Sequence, residues 1–124
     1  MKREKNLESL VGQFVVVRTR LRTFIGCLVQ VTPKRIVLRI WNGRSFVLIR
    51  IPRITIKEVF RFPCGPLGAR FVVVKLKNGI SLVGCQIITA PSRTILLTVF
   101  VRGRFVTIRI RKSAIRSIIP FPCP

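Results

Sequence analysis

Arginine is the residue type through which this sequence has most capacity for chemistry. Its 124 residues carry 24 Lys and Arg, most of them Arg, against 3 Asp and Glu, a formal net charge of +21. A guanidinium presents a planar fork that holds a phosphate or carboxylate through two hydrogen bonds, so an Arg-dominated excess points to a phosphate-rich partner. A field of one sign also repels itself unless a polyanion is close. The plainer alternative is charge kept for solubility. Catalytic chemistry has little to draw on. There is no His, Asp or Tyr, and Glu4, Glu8 and Glu58 are the carboxylates, none paired with another. General acid and base work, and activation of a nucleophile, need such groups. No phosphate-cradling glycine loop is present. A non-enzymatic protein without a cofactor is expected.

The four cysteines are the remaining reactive groups. Cys27 and Cys85 each follow a glycine inside strand-like sequence, where a small apolar side chain packs well, so they read as core residues. Cys64 and Cys123 each follow Phe-Pro and are expected to be exposed, free to form a disulfide with each other or with neighbouring subunits. No C-x-x-C spacing exists, and no metal site is expected.

The elements that position these residues come in duplicate. The stretch from Val11 to Arg18 recurs from Leu67 to Lys75, Ile25-Gly26-Cys27 as Val83-Gly84-Cys85, and Thr32-Pro33-Lys34-Arg35 as Ala90-Pro91-Ser92-Arg93. Phe46 to Ile51 recurs as Phe105 to Ile110, and Phe62-Pro63-Cys64 as Phe121-Pro122-Cys123. The offset is 56 at Gly12/Gly68, 58 at Gly26/Gly84 and 59 at Cys64/Cys123, a drift that places length changes in turns. Two domains follow, 1–64 and 65–124, with Cys64-Gly65-Pro66 as the linker. Each is small enough to need support from the other or from further subunits.

Within each copy the hydrophobic period is two and β-branched residues dominate, a strand pattern. Strands are expected near 13–19, 23–32, 35–41, 45–51 and 54–60, then near 70–76, 80–89, 93–101, 104–110 and 113–119. Asn42-Gly43 has the composition of a type I′ hairpin turn. Asn78-Gly79, Ala90-Pro91-Ser92 and Arg102-Gly103 mark the turns of the second copy. Asn6 is placed to cap one helical turn over Leu7 to Leu10. Five short antiparallel strands with tight turns suit a small barrel. The fold class is therefore all-β, with two tandem five-stranded antiparallel barrels of Sm-like or SH3-like kind. Alternation assigns Val15, Val17, Ile36, Leu38, Ile40, Val47, Ile49 and Ile51 to the first interior, and Val72, Val74, Ile95, Leu97, Val99, Val106, Ile108 and Ile110 to the second. The outer face mixes Arg with Phe14, Val16, Trp41, Phe46, Leu48, Phe71, Phe100 and Phe105. That is the character of a contact surface, or of a seal between two barrels.

The sequence resembles the Sm-like family, of Hfq and LSm type, most clearly from Val72 through Lys75, Asn78-Gly79 and Ile80 to Gly84. There an apolar strand, a polar-Gly turn, an apolar residue and a bend glycine follow in the family's order. The segment from Ile110 to Ile118 is similar to the family's fourth strand, short turn and fifth strand. The resemblance spans both copies and implies the barrel fold, edge-to-edge assembly of rings or filaments as a homo-oligomer, and RNA binding. The family's Asp and Asn in the loop between the second and third strands are missing here, so its base-specific pocket is not carried over. Tandem-repeat spore coat proteins are similar too, and imply a structural self-assembling subunit instead.

The expected function is binding of RNA, single-stranded DNA or another polyanion with little sequence specificity. Arg18, Arg35, Arg39, Trp41, Arg50, Arg53, Arg93, Arg104, Arg109, Arg111 and Lys112 are the candidate contacts. Arg50, Arg53, Arg109, Arg111 and Lys112 rank first because they lie at the exit of the fourth strand in both copies. No apolar run is long enough for a membrane-spanning helix. Without a visible export signal a bacterial cytoplasmic location is expected, with a spore coat or cell surface as the alternative.

Overall fold

The structure is a computed structural model that describes residues 7–64, 69–87 and 93–123. Ten strands follow one another along the chain, β1 (Phe14–Thr19), β2 (Thr23–Val31), β3 (Arg35–Trp41), β4 (Phe46–Pro52), β5 (Ile56–Arg61), β6 (Arg70–Leu76), β7 (Ser81–Ile87), β8 (Thr94–Val101), β9 (Arg104–Arg111) and β10 (Ile115–Pro120). They form two five-stranded antiparallel sheets of the same topology, β4-β3-β2-β1-β5 and β9-β8-β7-β6-β10. Two compact units result. Unit 1 comprises residues 1–62 with 122–124, and unit 2 comprises 63–121. The last residues of the second repeat thus belong to the unit of the first. The sheets are open, with β4 and β5, and β9 and β10, as edges where closed barrels were expected.

Alternation decides the interior of each unit. In unit 1, Val15, Val17, Leu28, Ile36, Leu38, Ile51 and Val59 form a buried cluster, with Ile40 and Ile49 packed against it. In unit 2 the corresponding cluster is Val72, Val74, Ile95, Leu97, Val99 and Ile110, with Ile108 against it. Val47 is only half-buried and Val106 is exposed, because each sits beside the turn that leads into its edge strand. A single 3₁₀ turn covers residues 7–10, and its Leu7 is buried in the unit 1 cluster. The expected cap, Asn6, lies outside the described residues, as do Gly65, Pro66, Leu67 and Gly68 and the Ala90-Pro91-Ser92 turn.

The opposite face of the central strands is also buried. Val16 and Cys27 in unit 1 and Val73 and Cys85 in unit 2 have almost no exposed surface, and Phe62, Phe71 and Phe121 have very little. Val16 and Phe71 are therefore not part of an open contact surface. The rest of that set divides, with Phe14, Trp41, Phe46, Phe100 and Phe105 half-buried and Leu48 exposed. Trp41 and Phe46 are register partners across β3 and β4 with ring centroids 5.0 Å apart, and Phe100 and Phe105 repeat the arrangement at 4.9 Å. Edge-on aromatic pairs of this kind stabilise a hairpin beyond their buried area.

The β4–β5 and β9–β10 connections are short 3₁₀ turns, Arg53–Thr55 and Lys112–Ala114. Register along the β1–β5 pair shifts between Arg18 and Thr19, and along β10–β6 between Ile115 and Ser117. These matching bulges, which pass over Lys57 and Arg116, bend the edge strand at the same place in both sheets.

The turns depart from expectation in one respect. Asn42 does not take positive φ, so the β3–β4 turn is not type I′. Its side-chain Oδ1 instead accepts the backbone N–H groups of Arg44 and Ser45, each at 2.9 Å, and Gly43 alone has φ of 101°. The positive-φ pair occurs in the β8–β9 turn, at Arg102 (51°) and Gly103 (82°).

Candidate polyanion interface

Equivalent residues converge at the start of the third strand and the exit of the fourth in each unit. In unit 1 the Arg53 N–H donates to the Lys34 carbonyl at 2.9 Å, and in unit 2 the Lys112 N–H donates to the Arg93 carbonyl at 2.8 Å. The same bond thus clamps the fourth-strand exit to the preceding turn in both. Register places Arg35 opposite Pro52 and Thr94 opposite Arg111. Side chains that leave these facing positions share one edge of the sheet.

A cleft opens at that edge in each unit. In unit 1 Lys34, Arg35, Arg50 and Pro52 line about 320 Å³. In unit 2 Arg93, Thr94, Arg111, Lys112 and Ser113 line about 720 Å³. Both clefts are cationic, and among the described residues neither lining set contains a carboxylate. Among the expected contacts, Arg35 and Arg50 are brought together in one cleft, and Arg93, Arg111 and Lys112 in the other. Lys34, Thr94 and Ser113 were not singled out from sequence. They became visible only when the third-strand start and fourth-strand exit met in space.

The other expected contacts lie elsewhere. Arg18 pairs with Glu58 across β1 and β5, Nη1 to Oε1 at 3.0 Å, a largely exposed bridge of small energetic value. Arg39 Nη1 donates to the Pro122 carbonyl at 3.3 Å within unit 1. Arg53 Nη1 donates to the Thr32 carbonyl at 2.9 Å and so braces the β2–β3 turn. Arg104 begins β9 at the far end from Arg111, roughly 23 Å away at about 3.3 Å per residue. Arg109 is on β9 but outside the cleft lining. Trp41 is half-buried against Phe46.

The cysteines are paired differently from expectation. Cys64 bonds Cys85, and Cys27 bonds Cys123, so Cys64 and Cys123 do not join each other. Each buried strand cysteine that read as a free core thiol is the anchor for a tail cysteine. Its position after the bend glycine puts the sulfur on the second buried face. No thiol remains free to link chains. Among the described residues no cluster of three or more His, Cys, Asp or Glu could hold a metal ion, and no helix is long and apolar enough to cross a membrane.

No family model matches this sequence, and neither does any curated protein or solved structure.

Proposed function

We propose that this chain is a tandem Sm-like protein that binds nucleic acid, RNA or single-stranded DNA, or another polyanion, with little sequence specificity and without catalysis. The observation that carries this reading is the cationic cleft repeated at the same edge of both sheets. Two such sites on a chain of charge +21 offer phosphates paired guanidinium and ammonium groups. The described cleft residues are mainly cations suited to phosphate, and phosphate contacts carry no sequence information, which is why sequence-blind binding is proposed. The edge strands β4, β5, β9 and β10 each have a neighbour on one side within their sheet, which supports assembly into a ring or filament.

Fluorescence anisotropy with a labelled single-stranded 20-mer tests this. Affinity should fall steeply between 50 and 200 mM salt, along a straight line of log K against log salt. Replacing Arg35, Arg50, Arg93 and Arg111 by Gln should weaken binding at least tenfold at fixed salt and make that line shallower. Salt-independent binding, or an unchanged slope in the variant, overturns the assignment.

A second reading, a structural self-assembling subunit such as a spore coat or filament protein, is favoured by the two disulfides. Bonds of this kind persist in oxidising surroundings, which argues for the spore coat or cell surface over the cytoplasm. Light scattering after nuclease and molar salt separates the readings. Particles that survive both treatments support the structural one, and particles that dissolve support the polyanion one.

A further inference from the structure

Arg50 and Pro52 line a second pocket besides the unit 1 cleft. Its other walls are Thr19, Arg20, Leu21, Arg22 and Phe24 from the β1–β2 turn, with Ile51 and Thr55. The volume is about 530 Å³, within the usual range for small-ligand sites. Leu21, Phe24, Ile51 and Pro52 make the surface mainly apolar, while Arg20, Arg22 and Arg50 supply three cations, and none of the described lining residues is acidic. Apolar side chains beside guanidiniums fit a ligand with a flat apolar ring next to phosphates.

We propose that this pocket seats one unpaired base of a single-stranded nucleic acid against the Arg22 and Phe24 planes, with Arg20 and Arg50 holding the flanking phosphates. The proposal rests on the polyanion reading and adds to it a base-binding position. Three observations support that occupant. First, the Arg22 guanidinium lies over the Phe24 ring, 5.4 Å from its centroid, and stacked arginine and aromatic planes are both platforms for unpaired bases. Second, the turn is held in shape by hydrogen bonds within the protein. The Thr19 hydroxyl accepts the N–H groups of Leu21 and Arg22 at 3.3 and 3.2 Å and donates to the Arg22 carbonyl at 2.9 Å. The Arg20 N–H donates to the Thr55 carbonyl at 3.2 Å, which ties the turn to the β4–β5 connection. A preformed site loses little ordering entropy on binding. Third, Leu21 is 95% exposed, a large apolar side chain left in water beside the pocket.

Arg50 joins this pocket to the cleft at Lys34 and Arg35, so a strand that crosses the cleft can deliver a base to it. The second repeat has Lys77-Asn78-Gly79-Ile80 at the corresponding turn and Leu82 at the position of Phe24. The cationic clefts are duplicated, but the turn of the second repeat lacks the two arginines and the aromatic that the base seat uses.

The test compares a labelled oligothymidylate with an abasic strand of the same length and charge at 150 mM salt. The native chain should bind the base-containing strand about tenfold more tightly, the scale of one stacked base. R20Q/R22Q should remove that preference, whereas R44Q/R102Q, equal in charge change and exposed at other turns, should retain it. Circular dichroism checks that both variants are folded, and L21S, at an exposed position that packing does not need, should reduce the preference without altering abasic binding. Equal native affinity for the two strands overturns the base seat and leaves polyanion binding standing. A preference that survives R20Q/R22Q also overturns it. Failure to bind either strand removes the polyanion reading itself. Displacement of the label by dodecyl phosphate but not by unlabelled oligothymidylate assigns the pocket to an amphiphile and overturns the proposal as well.

Discussion

At Gly26 and Gly84 the second strand of each sheet passes so close under the third that a Cβ would collide with a backbone carbonyl, that of Arg39 in one case and Thr98 in the other. Backbone cannot step aside as a flexible side chain can. Gly84→Ala should therefore destabilise the chain at or above the upper end of the about 1–3 kcal/mol usual for overpacking, read as a lower urea midpoint. Leu21→Ala at an exposed position should stay within about 0.5 kcal/mol of the native chain in the same assay. Arg102 is a different case. Its φ of 51° is a left-handed conformation that asparagine tolerates better than arginine. Arg102→Asn should raise the midpoint, by a free energy on the order of 0.5 kcal/mol.

The short tails after β5 and β10 are each tied to a strand by a disulfide. Cys64 bonds Cys85 of β7 at a sequence separation of 21, and Cys123 bonds Cys27 of β2 at a separation of 96. In the chain-entropy description a disulfide stabilises by restricting the unfolded chain, more so for the longer loop, and each is worth about 2–5 kcal/mol. Cys27→Ala/Cys123→Ala should thus lower stability more than Cys64→Ala/Cys85→Ala, by about 1 kcal/mol in the same denaturation assay. With all four thiols committed within the chain, non-reducing electrophoresis should show a single-chain band and no covalent ladder. A ladder would mean that the pairing exchanges between molecules.

At the scale of the whole molecule, charge governs behaviour. A formal +21 spread over 124 residues opposes self-association in low salt and promotes it when a polyanion screens it. Native mass measurement should accordingly find larger species after addition of a single-stranded 20-mer at 50 mM salt than before it, with reversal by nuclease. Assemblies of equal size in all three conditions would show that edge-strand pairing, not neutralisation, holds copies together.

Much of this protein is determined by sequence alone. The tandem repeat follows from recurring segments, and the all-β class and most of both buried clusters follow from period-two alternation, which a sheet converts into an inside and an outside at Val15, Val17, Ile36 and their counterparts, though it also placed Val47 and Val106 inside and left out Leu28 and Val59. The net charge and the absence of His, Asp and Tyr also follow from composition. Tertiary structure decided the rest, because it depends on which distant residues meet. Periodicity could not distinguish an open sheet from a closed barrel, since edge pairing is non-local. It assigned Val16 and Phe71 to an outer surface because alternation says which way a residue points but not whether that second face is covered. Sequence context left Cys64 and Cys123 to bond each other or neighbouring subunits, whereas a disulfide requires Cα atoms about 5.5 Å apart, and the fold supplies that distance at Cys27–Cys123 and Cys64–Cys85. The basic residues were legible as a list. Only the register of β3 on β4 and of β8 on β9 gathered some of them into two clefts and left Arg18, Arg39 and Arg53 bonded elsewhere.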